Sequence, residues 1–237
     1  MTKNRIAETD SGITGEFVTR SYDEMMRRLR DRGWLETGLI IKEGIASGLA
    51  LEVGPGPGYL GLEWLKKTAG TRLKGLDISE DMLALARKNA VQYGLSDRVE
   101  YTAGDARKMP FEDGHFDAVF TNGSLHEWAH PEEILNEMVR VTKPGGRYFI
   151  SDLRRDIIAP VKWFLWAITG PKEMRQGLIT SLNAAYTVSE VETMLSKTKL
   201  RVWQVSKNPL GIIISGQKIP DRAMQVSSGL VGVPPKT

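Results

Sequence analysis

The sequence contains no cysteine and only three histidines in 237 residues. The missing cysteine excludes disulfides, thiolate nucleophiles, Cys-based zinc sites and iron–sulfur clusters. No apolar run approaches the ~20 residues of a membrane-spanning helix, and residues 1–10 lack the apolar core of a secretory signal. Acidic and basic residues alternate along the chain, with a net charge of only +3. We therefore expect a cytoplasmic globular protein, with no metal site, no transmembrane segment and no dedicated nucleic-acid module.

Strand-like and helix-like segments alternate from Leu49 onward, which predicts parallel β-strands joined by helices. Two strand-like runs close this pattern, Arg201–Ser206 and Gly211–Gln217, and their short connection at Asn208-Pro209 predicts an antiparallel hairpin. The fold class is therefore α/β: a doubly wound, mostly parallel seven-stranded sheet (Rossmann-like) with an antiparallel last strand and a helical lid. The predicted strands before the hairpin are Leu49–Val53, Arg72–Ile78, Val99–Ala103, Phe116–Thr121 and Arg147–Asp152.

The same pattern divides the chain into five segments. Helical periodicity over Ser21–Ser47 predicts N-terminal helices, and the α/β rhythm stops for about thirty residues after Asp152. The predicted segments are N-terminal helices covering the cofactor site at 1–48, an α/β core at 49–152, a helical cap at 153–186, a C-terminal helix and hairpin at 187–219, and a flexible tail at 220–237.

A glycine-rich turn follows the first predicted strand, within Leu51–Gly61. Its glycines fit G-x-G-x-x-G, the pattern of dinucleotide-binding oxidoreductases. However, Pro55 and Pro57 each remove a backbone N–H that a pyrophosphate would need. Glu52 adds negative charge, which would repel a phosphate and stabilise an ammonium or sulfonium ligand. The turn therefore favours a cationic cofactor, while a tight turn without a ligand remains the structural alternative.

Acidic residues also stand at the ends of the next two strands. Asp77 lies about 20 residues beyond the glycine turn, the spacing of an acid that binds ribose hydroxyls. Asp105 follows the third strand, where a carboxylate can accept a hydrogen bond from an adenine amino group. Either acid could instead cap a helix, although Ser79 is already placed to cap the helix after Asp77.

These motifs together resemble the class I S-adenosylmethionine-dependent methyltransferases, and most closely the small-molecule group that includes the ubiquinone and menaquinone C-methyltransferases. The resemblance covers roughly residues 45 to 155. The matching stretches, in the family's order, are Glu52–Gly58, Leu76–Ser79, Gly104–Ala106, Phe116–Val119 and Lys143–Gly146.

The resemblance implies S-adenosylmethionine as cofactor and suggests a role for each matching position. The turn would line the methionine moiety, Asp77 would hold the ribose, and Ile78 with Met82 would flank the adenine. The expected cofactor-binding residues are Glu52, Gly54, Gly56, Gly58, Asp77, Ile78, Met82, Gly104, Asp105, Ala106, Asn122 and Gly123.

The acceptor site is harder to read. The Asn-Pro-Pro-Tyr signature of amino-group nucleic-acid methyltransferases is absent from 121–128, which disfavours that chemistry. His126 is the candidate catalytic residue, because a neutral imidazole can accept a proton from the acceptor; a structural histidine is the alternative. The candidate substrate-binding residues are Tyr22, Trp128, Arg154, Trp163 and Tyr186. Aromatic residues near the cap suggest an apolar or planar acceptor, and could equally pack on the sheet, on a second subunit of a homodimer or against a membrane surface.

We therefore expect a methyltransferase acting on a small-molecule acceptor. Three alternatives stay open: an NAD(P)-dependent oxidoreductase, favoured by the glycine pattern; a non-catalytic cofactor-binding subunit; and an RNA methyltransferase, suggested by the basic isoelectric point.

Overall fold

The structure, a computed structural model, describes residues 5–6, 12–170 and 172–220. The predicted flexible tail lies outside the described residues from position 221 on. The helices are α1 (Glu16–Asp31), α2 (Thr37–Lys42), α3 (Tyr59–Lys67), α4 (Glu80–Tyr93), α5 (Pro131–Val141), α6 (Ala159–Ile168), α7 (Lys172–Ala184) and α8 (Val188–Ser196). The strands are β1 (Leu49–Val53), β2 (Arg72–Asp77), β3 (Val99–Ala103), β4 (Phe116–Asn122), β5 (Thr142–Leu153), β6 (Val202–Lys207) and β7 (Gly211–Gln217).

All seven strands form one sheet in the order β3-β2-β1-β4-β5-β7-β6. The pairs from β3 to β5 are parallel, and β7 runs antiparallel to both β5 and β6. The predicted fold class, including the antiparallel last strand, is confirmed. The chain order reverses beside β1, so the carboxyl ends of β1 and β4 border the crevice where ligands bind in open α/β sheets.

Alternating residues of the strands supply two buried layers, as the period of two in a strand requires. Leu51 and Val53 of β1 face the layer that contains α5 and α8. Ala50 faces the opposite layer, where Trp64 of α3 is fully buried and donates a hydrogen bond from Nε1 to the Ile45 carbonyl (2.8 Å). Helices therefore cover both faces of the sheet, and their packing positions the strand ends that border the crevice.

Several element bounds differ from the sequence prediction. Helix α1 begins at Glu16, five residues before the predicted start, because Gly15 (φ +90°) is the residue that turns the chain into the helix. Strand β5 begins at Thr142 rather than Arg147, with a shift of register against β4 between Phe116 and Ala118. Pro144, Gly145 and Gly146 follow the end of α5, and they lie inside the irregular first part of strand β5 and not in a loop.

The third glycine of the pattern, Gly61, packs against β1 and β2. A Cβ at this position would lie 2.3 Å from Glu52 Oε2 and 2.3 Å from Leu73 Cδ2. Gly61 is inside α3 and its φ is not positive. The absence of a side chain is therefore required by the helix–strand distance and not by backbone conformation.

Gly61→Ala should destabilise the protein by about 1–3 kcal/mol, because the new methyl overpacks the contact between α3 and the sheet. The matched control is Gly177→Ala in α7, where a Cβ meets nothing within 4 Å. This change should stabilise by up to ~1 kcal/mol, since alanine is the better helix former. Urea unfolding of both variants measures the difference, and equal stabilities would contradict the close packing.

Candidate cofactor site

A cleft opens at the carboxyl ends of the sheet, where β1, β2 and β4 end beside the N-terminus of α4. The turn after β1 forms its floor and α1 forms one wall. The described residues that line it are Gly12, Ile13, Tyr22, Val53, Gly54, Gly56, Leu76, Asp77, Ile78, Met82, Gly104, Asp105, Ala106, Arg107, Gly123, Ser124, Glu127, Trp128, His130 and Ile134.

The turn after β1 needs glycine for two reasons. Gly54, Gly56 and Gly58 have φ values of +67°, +52° and +82°, in the left-handed region that other residues rarely adopt. A Cβ on Gly54 would also lie 2.4 Å from Ser124 Oγ. Gly54 and Gly56 border the cleft, whereas Gly58 lies beneath it against Tyr101. The backbone thus forms a cradle that a ligand can approach closely.

Asp77 ends β2 with its carboxylate at the cleft wall. Oδ2 accepts the backbone N–H of Gly56 (3.1 Å) and Oδ1 accepts that of Ser79 (2.9 Å). Ser79 itself caps α4 by accepting the Met82 N–H, so Asp77 is not the helix cap. Burial raises the pKa of Asp77, although its backbone hydrogen bonds favour the ionised form. Each carboxylate oxygen keeps a lone pair that a ribose hydroxyl can use.

Glu52 lies behind the glycine turn and not in the cleft wall. It is almost fully buried, and Oε2 has no hydrogen-bond partner among the described residues. Burial, followed by the nearby Asp77 carboxylate, raises the pKa of Glu52 well above its usual range. The hydroxyl of Tyr101 is likewise buried without a partner in the described chain. Asp77, held by backbone N–H groups, and Glu52, whose raised pKa makes it readily protonated, therefore place two carboxyl groups at this end of the sheet.

The expected adenine end is mainly apolar. Ile78, Met82 and Ala106 all line the cleft, and Gly104 meets Leu76 closely. The carboxylate of Asp105 accepts the N–H of Arg107 (2.8 Å) and pairs with its guanidinium (2.7 Å), which lowers the Asp105 pKa. The geometry thus shows a cap of a short 3-10 helix, Ala106–Lys108. Contact of Asp105 with an adenine edge stays a prediction.

Gly12 and Ile13, just before α1, also line the cleft, and neither was among the predicted site residues. The Ile13 carbonyl accepts the hydroxyl of Ser79 (2.5 Å), and the Gly15 N–H donates to Asp81 (3.1 Å). A Cβ on Gly12 would lie 2.7 Å from Ile78. The chain entering α1 is therefore pinned across the adenine end. The glycines at 12 and 15 were the available signal.

The opposite end of the cleft is lined by Tyr22, Glu127 and Trp128. Tyr22 comes within 3.4 Å of where a Gly56 Cβ would be. The next residue, Asp23, accepts hydrogen bonds from Tyr59 (3.0 Å) and Asn89 (3.2 Å), which hold α1 against α3 and α4. Burial, followed by nearby carboxylates, raises the pKa of Tyr22, so its hydroxyl remains a proton donor at neutral pH. Tyr22 and Trp128 are the predicted substrate residues that the structure brings to the cleft.

His126 lies behind the wall formed by Ser124 and Glu127. Its ring is buried, and Nδ1 is 2.7 Å from Asp152 Oδ1, while Asp152 Oδ2 accepts the His126 backbone N–H (2.6 Å). An ionised carboxylate only accepts hydrogen bonds, so this contact places a proton on Nδ1. The arrangement orients the imidazole as an Asp–His pair. It suits either a base or a structural histidine.

Asn122 is turned away from the cleft. Its Nδ2 donates to Glu36 Oε2 (2.9 Å) and to Ser151 Oγ (2.8 Å). Burial raises the pKa of Glu36, against the effect of its own hydrogen bonds with Ser151 and Asn122. Neighbouring Gly123 does line the cleft. Glu36 was missed from the sequence because it precedes a six-residue helix with no motif around it.

The other three predicted substrate residues lie outside the cleft. Arg154 is engaged by Asp156 (2.8 Å) and by the Asn208 carbonyl (3.3 Å). Tyr186 packs under the guanidinium of Arg5, 4.2 Å from the ring centroid. Trp163 is 70% exposed on α6. Substrate contact for these three residues stays a prediction, and the aromatic side chains of α6 are exposed to solvent.

Within the described residues, no group of three His, Asp or Glu side chains is placed to hold a metal ion.

Residues 51–150 match the family model described as "Methyltransferase domain". These residues hold β1 to β5 and almost all of the cleft. This stretch, somewhat less than half of the chain, is similar to the methyltransferase domain family. The predicted resemblance is thereby confirmed.

Curated relatives agree with this assignment. The methyltransferase GfsG of Streptomyces halstedii is 35% identical over 103 residues, which are 44% of this chain and 37% of that protein. The ubiquinone/menaquinone biosynthesis C-methyltransferase UbiE of Pseudomonas entomophila is 33% identical over 147 residues, 58% of this chain and 56% of the relative. The chain thus spans about half the length, or less, of the curated relatives it matches.

Solved structures extend the similarity beyond the domain. A putative S-adenosyl-L-methionine-dependent methyltransferase from Methanococcus maripaludis superposes with a TM-score of 0.67 at 21% identity, covering 93% of this chain and 98% of that one. A SAM-dependent methyltransferase from Aquifex aeolicus gives 0.63 at 22% identity, over 78% and 90% of the two chains. At such identities the comparison shows a shared fold.

The cleft residues fit the cofactor that the methyltransferase domain implies. S-adenosylmethionine carries a sulfonium and an ammonium, and the orphaned Glu52 oxygen with the Asp77 carboxylate supplies compensating negative charge. The left-handed glycines permit close approach of the methionine moiety. The residues at Ile78, Met82 and Ala106 offer an apolar slot for a planar ring.

Asp77→Asn should weaken S-adenosylmethionine binding by about tenfold to a hundredfold, because a hydrogen bond to a charged group is worth ~1.5–3 kcal/mol. The control is Asp97→Asn, an exposed acid in the turn before β3. Titration calorimetry measures both, with thermal unfolding to check the fold. Unchanged affinity in a folded Asp77→Asn protein would remove Asp77 from the site.

Cofactor affinity should fall as the pH drops through the raised pKa values of Glu52 and Asp77, because protonation removes the charges that stabilise a cation. Binding should then release protons, which is measured as a dependence of the calorimetric binding enthalpy on the buffer.

The same raised pKa values affect the stability of the cofactor-free protein. Its free energy of unfolding should fall as the pH rises above the ordinary carboxyl range, because the folded state then has to bury ionised carboxylates. Glu52→Gln should therefore stabilise the cofactor-free protein at neutral pH and flatten the pH dependence of binding. An unaltered pH profile in Glu52→Gln would contradict this assignment.

Proposed function

We propose that the protein transfers a methyl group from S-adenosylmethionine to a small-molecule acceptor that is apolar or planar. The observation that carries the proposal is the anionic cleft around Asp77 within a methyltransferase domain. Relatives named for ubiquinone and menaquinone biosynthesis support a ring carbon of a quinol-like acceptor as the first candidate.

The bound cofactor supplies an activated methyl group on a good leaving group, so the chain's main work is alignment. Asp77 would fix the ribose and the glycine turn the methionine moiety. Tyr22, Glu127 and Trp128 line the end of the cleft away from the adenine slot, where an acceptor would meet the methyl group. The bound cofactor would supply an electrophilic methyl group at this end of the cleft, and these residues would hold the acceptor, which gives up a proton when it is methylated.

His126 is proposed as the group that takes that proton. Asp152 holds the imidazole from the Nδ1 side, and Nε2 faces Glu127, 4.0 Å from its Oε1, so a proton taken up at Nε2 would lie next to a carboxylate. Asp152 also holds the backbone of the same residue, so the ring is fixed in position and tautomer. His126 lies behind Ser124 and Glu127, so the proposal requires the acceptor's proton to reach the imidazole past the Glu127 carboxylate, which lines the cleft.

The glycine pattern alone left an oxidoreductase open. Pro55 and Pro57 are in the turn, and Asp77 already accepts the Gly56 N–H that a phosphate would compete for. The match to the methyltransferase domain supports the methyl-transfer alternative. Binding of NADH in competition with S-adenosylmethionine would favour the oxidoreductase instead.

Incubation with methyl-labelled S-adenosylmethionine should yield S-adenosylhomocysteine and a labelled product with some member of a panel of quinols, phenols and aromatic acids. Asp77→Asn is the negative control, because it should lose turnover at limiting cofactor. Tight cofactor binding with no product across chemically diverse acceptors would favour the non-catalytic subunit. Labelling of RNA instead would favour the RNA methyltransferase.

With that acceptor in hand, His126→Gln should lower turnover by something like 10²–10⁴-fold and abolish the acidic limb of the pH profile. Asp152→Asn should lower turnover too, because it lets the imidazole adopt the wrong tautomer. His130→Gln, on the exposed rim of the cleft, is the matched control. Equal rates and profiles for wild type and His126→Gln would make His126 structural.

A further inference from the structure

Helix α6 has no buried residue, although it is the most apolar helix of the described chain by composition. Trp163, Phe164 and Trp166 are 70%, 44% and 41% exposed, and Ile158, which caps the helix, is 65% exposed. Soluble proteins rarely leave such contiguous aromatic surface uncovered unless it binds something. The exposed aromatic side chains of α6 therefore indicate a binding surface.

The exposed surface continues beyond α6. Trp34, between α1 and α2, is 49% exposed, and its ring centroid lies 6.5 Å from that of Phe164. The aromatic patch, defined as Trp34, Ile158, Trp163, Phe164 and Trp166, thus joins the cap to the N-terminal helices.

Cations border the aromatic patch. Arg175 lies over the ring of Trp166 at 4.2 Å and Arg32 over that of Trp34 at 5.2 Å. Lys162 is the only charged residue between Ile157 and Gly170. Arg28, nearby, is paired with Glu24 (3.3 Å). The patch is therefore apolar and aromatic at its centre and positive at its edge.

We propose that the aromatic patch docks the protein onto an anionic phospholipid surface, with α6 lying in the plane of the interface. Tryptophan favours the headgroup level of a bilayer, and lysine and arginine beside it meet anionic lipid headgroups. Among the described residues no helix is long and apolar enough to cross a membrane, so the contact is peripheral.

A second copy of the chain fits this surface less well. A two-fold dimer through the patch would bring each surface against itself. Lys162, Arg32 and Arg175 of both copies would then lie in one interface, where like charges are costly. An anionic membrane compensates the same charges.

Docking by this surface would present the cap and α1, which carries Tyr22, to the bilayer. An apolar acceptor could then pass from lipid to the cleft without crossing water. Delivery of the acceptor from the membrane rests on the proposed function, whereas membrane binding itself does not. Vesicle binding can therefore be tested without cofactor or acceptor, independently of methyl transfer.

The test uses the full chain and vesicles of phosphatidylcholine with or without phosphatidylglycerol, with no cofactor or acceptor. Wild type should sediment with the anionic vesicles, release at high salt, and show a blue shift of tryptophan emission. Trp163→Ala should weaken binding by about tenfold, because one inserted indole is lost. Lys162→Glu should weaken binding to anionic vesicles specifically.

Matched controls are Val91→Ala, which is 69% exposed on α4, and Lys88→Glu on the same helix. Both should bind as wild type. All four side chains are exposed, so thermal unfolding should be nearly unchanged in each variant. Absence of vesicle binding by wild type, or equal binding by Trp163→Ala, would overturn the proposal. A dimer in solution that Trp163→Ala dissociates, with no vesicle binding, would assign the surface to a second copy instead.

Discussion

The hydrogen bond from the Gly56 N–H to Asp77 (3.1 Å) connects the two halves of the cofactor cleft. It requires β1 and β2 to be neighbours in the sheet and the turn after β1 to fold back over the end of β2. That turn is possible only because its glycines adopt positive φ and because α3 packs closely at Gly61. The position of the Asp77 carboxylate therefore depends on the strand order, on the glycine turn and on the packing of α3.

The same contact explains the electrostatics of the site. Placing Asp77 at a strand end beside buried Glu52 costs desolvation energy, and both carboxyl pKa values rise. In the cofactor-free protein, backbone hydrogen bonds to Asp77 offset only part of the negative charge of these two carboxyl groups. A ligand with two positive centres removes that cost on binding, so selectivity for a cation arises before any specific contact is counted.

How far the sequence predicted the structure depended on the range of the interactions involved. The strand–turn–helix motifs were readable because glycine, proline and acid positions report local backbone needs. The antiparallel β7 followed from a short connection. Ile13, by contrast, reaches the cleft, and Glu36 reaches Asn122 outside it, only through tertiary packing of segments without motifs. For Trp163 the sequence left an acceptor, the sheet, a second subunit and a membrane open, because an apolar helix does not indicate which surface covers it; the side chain is exposed.

The acceptor end of the cleft differs chemically from the cofactor end, and this bears on which reactions it can support. Tyr22, with its pKa raised by burial and carboxylates, donates rather than accepts a proton at neutral pH. In the proposed transfer, the acceptor's proton would go to Glu127, which lines this end of the cleft, or to His126 behind it. Asp152 holds the imidazole of His126 from the Nδ1 side, and Nε2 lies 4.0 Å from Glu127 Oε1. Glu36 accepts a hydrogen bond from Asn122 outside the cleft lining, so its carboxylate positions Asn122 at the end of β4.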